Sequence, residues 1–269
     1  MRARKALGQH FLSDPGLLAR IAAATGAGPG DVVLEIGPGR GSLTEALVAR
    51  GATVVAIERD VRMLPVIQGR IRSPALTVVV GDALATDWPS LVASEVEAGK
   101  RWLVAGNIPY NITTPLLDKA LTPPLPASVT FLVQRELADR VAAAPRTRTY
   151  GALSIGVQAV AGPKRLFAVD RRAFSPAPRI DSTLLQLIPR RPPLVTPDEI
   201  APFRRFVTGI FCYRRKRIAN ALRQATGMSG GEAVAVLQRV EIDPGVRPEA
   251  LAPDRFADLF RAAARMVVP

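Results

Sequence analysis

The sequence predicts an α/β protein whose mostly parallel sheet is followed by a small all-helical domain, and three observations carry that prediction. Between residues 31 and 188 short β-rich runs alternate with helical patterns, the rhythm of a parallel sheet covered by helices. A glycine-rich turn, Gly37-Pro38-Gly39-Arg40-Gly41, follows the first of those runs. Beyond a proline-rich stretch at 189–197, apolar residues recur only at helical spacing.

The elements follow in order. Asp14 and Pro15 supply an N-cap and a first-turn proline for a helix carrying Leu17, Leu18, Ile21 and Ala22 on one face. Strands are predicted at Val32–Ile36, Thr53–Ile57, Leu76–Val80, Trp102–Ala105, Val129–Val133 and Thr183–Ile188, most of them unbroken apolar runs, as a sheet covered on both faces requires. Ser42 and Glu45 have the spacing of a capping box at the start of the helix after the glycine turn. Phe203, Phe206, Val207, Ile210 and Phe211, then Ile218 and Leu222, Val236 and Leu237, Phe256, Leu259 and Phe260 mark the helices of the second domain. The expected domains are 1–190 and 191–269.

The 269 residues are 48% hydrophobic and 22% charged, which excludes a disordered, collagen-like or disulfide-framework chain. With 36 Lys plus Arg against 23 Asp plus Glu the net charge is +13, which points to a polyanionic partner, nucleic acid or an anionic membrane surface. Residues 1–188 carry 22 basic and 15 acidic side chains and 189–269 carry 14 and 8, so the smaller domain is about twice as basic per residue. One cysteine, Cys212, and one histidine, His10, leave no internal disulfide and no Cys/His zinc site, so no metal is expected. No apolar run reaches the roughly 18 residues of a membrane span, and the basic start leads into no apolar signal segment. A protein of the reducing cytosol, with no membrane partner and working as a monomer, is the expectation.

The glycines at 37, 39 and 41 let the chain turn tightly and let a ligand approach the main chain. A dinucleotide fingerprint would need glycine where Ser42 stands, and a phosphate-binding P-loop would need the absent Gly-Lys-Ser/Thr. Glu58 ends the second strand, where a carboxylate can accept both ribose hydroxyls of a nucleoside, and Asp82 follows the third, within reach of an adenine amino group. Turn, Glu58 and Asp82 all fall at the carboxyl ends of successive strands, the edge where open α/β sheets bind ligands. Together with Glu35-x-Gly37-x-Gly39-x-Gly41 they resemble the S-adenosylmethionine site of class I methyltransferases.

After the fourth strand comes Asn107-Ile108-Pro109-Tyr110. An exocyclic adenine amine is a poor nucleophile because its lone pair is delocalised into the ring. Acceptors on its two hydrogens, the Asn107 side-chain oxygen and a main-chain carbonyl at Ile108 or Pro109, favour a pyramidal nitrogen, and Tyr110 can stack on the flipped base. Neither a metal nor a covalent nucleophile is required.

Asn-Ile-Pro-Tyr resembles the signature of adenine N6 methyltransferases. Further runs narrow the resemblance: 6–12 (Ala-Leu-Gly-Gln-His-Phe-Leu), Gln134-Arg135-Glu136, 150–154 (Tyr-Gly-Ala-Leu-Ser), 174–182 (Phe-Ser-Pro-Ala-Pro-Arg-Ile-Asp-Ser) and 211–216 (Phe-Cys-Tyr-Arg-Arg-Lys). Nearly the whole chain, in order, is similar to the ribosomal RNA adenine dimethyltransferases, and within them to the bacterial small-subunit branch linked to kasugamycin sensitivity. The resemblance implies a Rossmann-like class I methyltransferase sheet, S-adenosylmethionine as cofactor, and dimethylation of N6 on two adjacent adenosines near the 3′ end of 16S rRNA during small-subunit assembly. It places His10, Leu12, Gly37, Glu58, Asp82 and Asn107 against the cofactor, and Asn107, Pro109, Tyr110 and Phe174 around the target adenine, with Phe174 as a second aromatic wall. Arg214, Arg215, Lys216 and Arg217, four cations that would oppose the dipole of a helix starting there, are expected to hold rRNA phosphate. The large-subunit rRNA dimethyltransferases of macrolide resistance share the catalytic motifs; the 211–216 run and the helical domain favour the small-subunit branch. An RNA-binding assembly or transcription factor without catalysis is the third reading, against which the intact Asn107, Pro109 and Tyr110 argue.

Overall fold

The computed structural model describes residues 9–267. In chain order the elements are β1 (Phe11–Leu12), α1 (Pro15–Ala24), β2 (Asp31–Ile36), α2 (Ser42–Ala49), β3 (Thr53–Glu58), α3 (Leu64–Arg70), β4 (Leu76–Val80), α4 (Trp88–Glu97), β5 (Arg101–Asn107), α5 (Thr113–Ala120), β6 (Ser128–Gln134), α6 (Arg135–Val141), α7 (Ala152–Gln158), β7 (Ala161–Val169), β8 (Phe174–Ser175), β9 (Ser182–Pro189), α8 (Ile200–Phe211), α9 (Ile218–Thr226), α10 (Gly230–Arg239) and α11 (Pro253–Val267). Of the opening motif, residues 6–8 lie outside the described residues.

Seven strands form one sheet in the order β4-β3-β2-β5-β6-β9-β7, and β1 pairs with β8 in a separate two-stranded ribbon. The pairs from β4 to β6 are parallel and β9 runs antiparallel to β6. Every residue of β2 is buried, which is why its sequence reads as a continuous run and not as an alternation. Asp31 opens that strand fully covered, and the guanidinium of Arg101, its register partner on β5, closes on it through two bonds of 2.7 and 2.8 Å. Chain order runs outward from β2 to β4, then crosses back to β5, so the topology reverses between β2 and β5, where a crevice opens at the carboxyl ends. On one face α1 packs Leu18, Ile21 and Ala22 into the core; Asp14 caps it by accepting the Leu17 amide at 2.9 Å.

All six predicted strands form. The sequence reading omitted β7, whose burial is patchy and whose middle carries Lys164 and Arg165. An edge strand of this kind lacks the double-sided burial that makes an apolar run. The proposed capping box also differs: Ser42 is the first helical residue, and the N-cap is Gly41 in the left-handed region at φ +78°, with no side-chain cap bond. Glu45 turns instead to Arg70, 2.6 Å away.

Two compact units divide the chain: one runs through Ala138 and resumes over Lys164–Pro189, the other is Asp139–Pro163 with Arg190 onward. The second unit thus takes a segment that the sequence reading gave to the sheet domain. Long-range contacts hold it there: Tyr150, fully covered, donates its hydroxyl to the Leu251 carbonyl at 2.8 Å, and the Ala159 carbonyl accepts the Leu194 amide at 2.8 Å. Phe203 and Phe256 fill the same helical core, and Phe203 meets Phe260 edge-on at 5.7 Å. Among the described residues no helix is long and apolar enough to cross a membrane.

Candidate active site

The site grows out of the turn between β2 and α2. Gly37, Gly39 and Gly41 all have positive φ, of 68, 56 and 78°. At Gly39 a side chain is excluded twice over, since a Cβ there would come within 2.9 Å of the Phe11 ring. Glu58, at the end of β3 and 6% exposed, holds the turn: one carboxylate oxygen accepts the Gly39 amide at 2.9 Å and the other the Asp60 amide at 2.7 Å. Burial raises its pKa above the ordinary carboxylate value, while these two amides pull it back. Asp82, after β4, accepts the Leu84 amide at 2.9 Å and faces Arg59 at 3.4 Å. Turn, Glu58 and Asp82 line one cavity.

Glu35, which the sequence reading names as the first residue of the glycine motif without giving it a role, lines the same cavity. It is 1% exposed, one carboxylate oxygen has no hydrogen-bond partner, and burial pushes its pKa up to about 7. An acid interrupting a double-sided strand just ahead of a glycine turn is the signal that marks it for a role of its own.

The opposite wall begins at the end of β5. Gly106 is there because a Cβ would stand 2.5 Å from the Ile36 carbonyl. The Asn107 side-chain nitrogen donates to the His10 carbonyl at 2.8 Å, so its oxygen is left without a protein partner among the described residues. The Pro109 carbonyl already accepts the Ile112 amide at 3.2 Å and the Thr113 hydroxyl at 3.1 Å. Of the two main-chain acceptors the sequence suggested, Ile108 is therefore the one left open among the described residues. Tyr110 is half-buried, bonded through its hydroxyl to Ser182 at 2.8 Å, and stacked on His10 at 5.9 Å with 21° between the rings. Desolvation raises the phenol pKa, so Tyr110 stays neutral. His10 donates from Nδ1 to the Pro176 carbonyl at 2.7 Å. Leu12, 6% exposed, completes this side of the cavity.

His10, Leu12, Gly37, Glu58, Asp82, Asn107, Pro109 and Tyr110 thus meet at one cavity, and Phe174 does not. Phe174 is 4% exposed and belongs to the hydrophobic core, because its strand register sets it against Leu12 in the β1–β8 ribbon. The aromatic wall expected at Phe174 is therefore not part of this cavity's lining; its ring sits beside Leu12, in the strand that follows His10.

In the helical unit the 214–217 run precedes α9, with Arg217 as its N-cap residue. Arg215, Lys216 and Arg217 are exposed. Arg214 is not a free cation: its Nε lies 2.6 Å from Glu249, and its Nη2 donates to the Arg148 carbonyl at 3.0 Å. No group of three His, Cys, Asp or Glu able to hold a metal ion exists among the described residues.

Comparison with known proteins agrees with this geometry. The family model for ribosomal RNA adenine dimethylase matches residues 1–265. The chain is 43% identical over 265 residues to ribosomal RNA small subunit methyltransferase A of Geobacter metallireducens, covering 97% of this chain and 96% of that protein. Among solved structures it resembles a dimethyladenosine transferase from Plasmodium falciparum, with a TM-score of 0.80, 26% identity and coverage of 93% of this chain and 96% of the other. It also resembles the 23S rRNA methyltransferase ErmE, with a TM-score of 0.71, 27% identity and coverage of 94% and 99%. A class I methyltransferase sheet, a cavity at its topological reversal and a family match along almost the entire chain lead to one conclusion: this chain belongs to the ribosomal RNA adenine dimethylase family.

Proposed function

We propose that this protein dimethylates N6 of two adjacent adenosines near the 3′ end of 16S rRNA, using S-adenosylmethionine, as a cytosolic monomer acting in small-subunit biogenesis. The observation that carries the reading is the Asn107 amide: its nitrogen is tied to the His10 carbonyl, leaving its oxygen at the cavity wall beside the open Ile108 carbonyl and the Tyr110 ring.

The residues present fit the cofactor. Glu58 and Asp82 supply carboxylate acceptors for a ribose and an adenine amino group, the glycine turn keeps Cβ atoms out of the way, and Glu35 offers an unpaired buried oxygen. When bound, S-adenosylmethionine supplies an electrophilic methyl group on a sulfonium centre. The chain's own work is on the amine. Asn107 and the Ile108 carbonyl accept the two N–H bonds of adenine N6, draw the nitrogen toward a pyramidal shape and free its lone pair. Tyr110 stacks on the flipped base, and its bond to Ser182 fixes the ring. A monomethylated adenine keeps one N–H, so a single acceptor serves the second transfer in the same pocket. The nitrogen is strongly acidic once alkylated and loses its proton to solvent, so no side-chain base is needed.

The exposed Arg215, Lys216 and Arg217 and the net charge of +13 suit a polyphosphate partner. Incubation with labelled cofactor and undermethylated small subunits should place label on 16S rRNA; label only in DNA or in large-subunit RNA refutes the assignment. Asn107→Ala should lower transfer by at least about 100-fold, the loss typical of a missing transition-state acceptor or donor, and leave RNA affinity within about twofold. Retained turnover in that variant would overturn the role given to Asn107.

A further inference from the structure

A second cavity opens within the sheet unit, outside the one just described, between the start of α6 and the loop of residues 170–181. Four arginines line it: Arg135, Arg171, Arg172 and Arg179. Their states differ. Arg172 is neutralised by Asp170 through two bonds of 3.0 and 2.9 Å. Arg171 spends one nitrogen on the Arg179 carbonyl at 3.3 Å, which aligns the two residues without cancelling either charge. Arg135 and Arg179 are exposed and form no ion pair among the described residues.

Asp181 organises the cavity by binding backbone. Its carbonyl accepts the Arg135 amide at 3.1 Å, and its carboxylate accepts the Arg171 amide at 3.1 Å. One residue therefore pins both chain segments that bear the free guanidinium groups. Against those three cations stand only Asp181, half engaged in that bond, and Glu136, so the cavity keeps a positive surplus in a concave setting.

Its position gives the surplus a purpose. Ser182, next to Asp181, holds the Tyr110 hydroxyl at 2.8 Å, and Ser182 is the register partner of Gln134, the residue before Arg135. The arginine cavity thus begins one residue beyond Ser182, which holds the Tyr110 ring, and one residue beyond its register partner Gln134. A base extruded against Tyr110 drags its flanking phosphodiesters with it, and these must run across the adjoining surface. Guanidinium groups match phosphate oxygens in a planar, bidentate way that lysine does not.

We propose that Arg135, Arg171 and Arg179 form a clamp for the backbone phosphates of the RNA strand that flank the flipped adenosine, a positioning site separate from the cations of the helical unit. The inference rests on the functional reading above in that it needs an RNA strand entering at Tyr110. Among the described residues neither Arg135 nor Arg179 supports the fold through a side-chain bond, so the double variant Arg135→Gln/Arg179→Gln should melt as the wild type does.

The experiment measures KM and binding to undermethylated small subunits over a range of salt. The double variant should bind roughly tenfold more weakly, and the slope of log affinity against log salt should fall by about 1.4, two contacts at about 0.7 each for single-stranded RNA. Affinity for S-adenosylmethionine should be unchanged. An unaltered salt slope overturns the clamp, and so does an affinity loss that comes with weakened cofactor binding, since that would mark a structural role. If the wild type labels a different rRNA, the functional reading fails visibly, and the slope measured on the RNA it does label still decides the clamp. Arg135→Lys/Arg179→Lys should restore the slope while leaving KM raised, because charge returns without the bidentate geometry.

Discussion

Replacing Glu35 by glutamine tests the electrostatics of the cavity floor. In the folded chain burial holds the Glu35 carboxyl at about 7 against an ordinary 4.5. The folded state therefore keeps a proton that the unfolded state has already lost, and stability falls as pH rises from 4.5 to 7 and then levels. At 1.36 kcal/mol for each pH unit of that window the loss amounts to about 3 kcal/mol. Glutamine has nearly the same shape and cannot ionise, so Glu35→Gln should match the wild type near pH 4 and exceed its stability by about 3 kcal/mol at pH 8. The difference between the two proteins at each pH cancels the repulsion among the remaining charges. Both tryptophans, Trp88 and Trp102, lie in the sheet unit, so urea titrations followed by their fluorescence report the unit that contains Glu35. A gap that stays constant between pH 4 and 8, or one that favours the wild type at pH 8, would refute the reasoning.

Two further predictions address the frame of the site and the helical unit. Gly106→Ala drives a Cβ to 2.5 Å from the Ile36 carbonyl, a backbone atom that cannot step aside, and should destabilise the sheet unit by about 3 kcal/mol; a melting temperature within 1 °C of the wild type would contradict this. In the 214–217 run the four cations should separate by role. Arg214→Gln, which breaks a partly solvated pair with Glu249, should cost about 1 kcal/mol of stability, whereas the triple variant Arg215→Gln/Lys216→Gln/Arg217→Gln should keep its melting temperature and lower the salt slope of RNA binding by about 2. Equal effects of the two variants on both readouts would disprove the division.

What was legible in the sequence follows physical rules. Strands covered on both faces leave unbroken apolar runs, so β2, β3, β5, β6 and β9 were read directly; β4, an edge strand with no buried residue, was read from its β-branched run alone, and the turn glycines from a positive φ few other residues accept. Glu58, Asp82 and Asn107 could be placed because each lies at or just after the carboxyl end of a strand. Other features depend on partners distant in the chain. Phe174 reads as an aromatic wall from its flanking prolines, and only its register with Leu12 reveals that it is buried in the core. Arg214 looks like its neighbours until Glu249, thirty-five residues on, takes it. Residues 139–163 join the helical unit through contacts such as Tyr150 with Leu251, which no local pattern encodes. Glu35 is visible as part of the glycine motif, but its burial and its unpaired oxygen depend on the folded surroundings.

The order β4-β3-β2-β5 has a metrical consequence. Adjacent strands in a sheet lie about 4.8 Å apart, a distance set by backbone hydrogen bonds and not by side-chain packing. Asp82, Glu58, the Gly37 turn and Asn107 sit at the carboxyl ends of these four strands in succession, so the sheet is a ruler about 14 Å long with a mark at each functional group. Core substitutions can soften the protein without rescaling that ruler, since changing the spacing means breaking the ladder itself. Precision at the acceptor end is thereby inherited from the most regular part of the molecule, and the loops are left free to adapt to RNA.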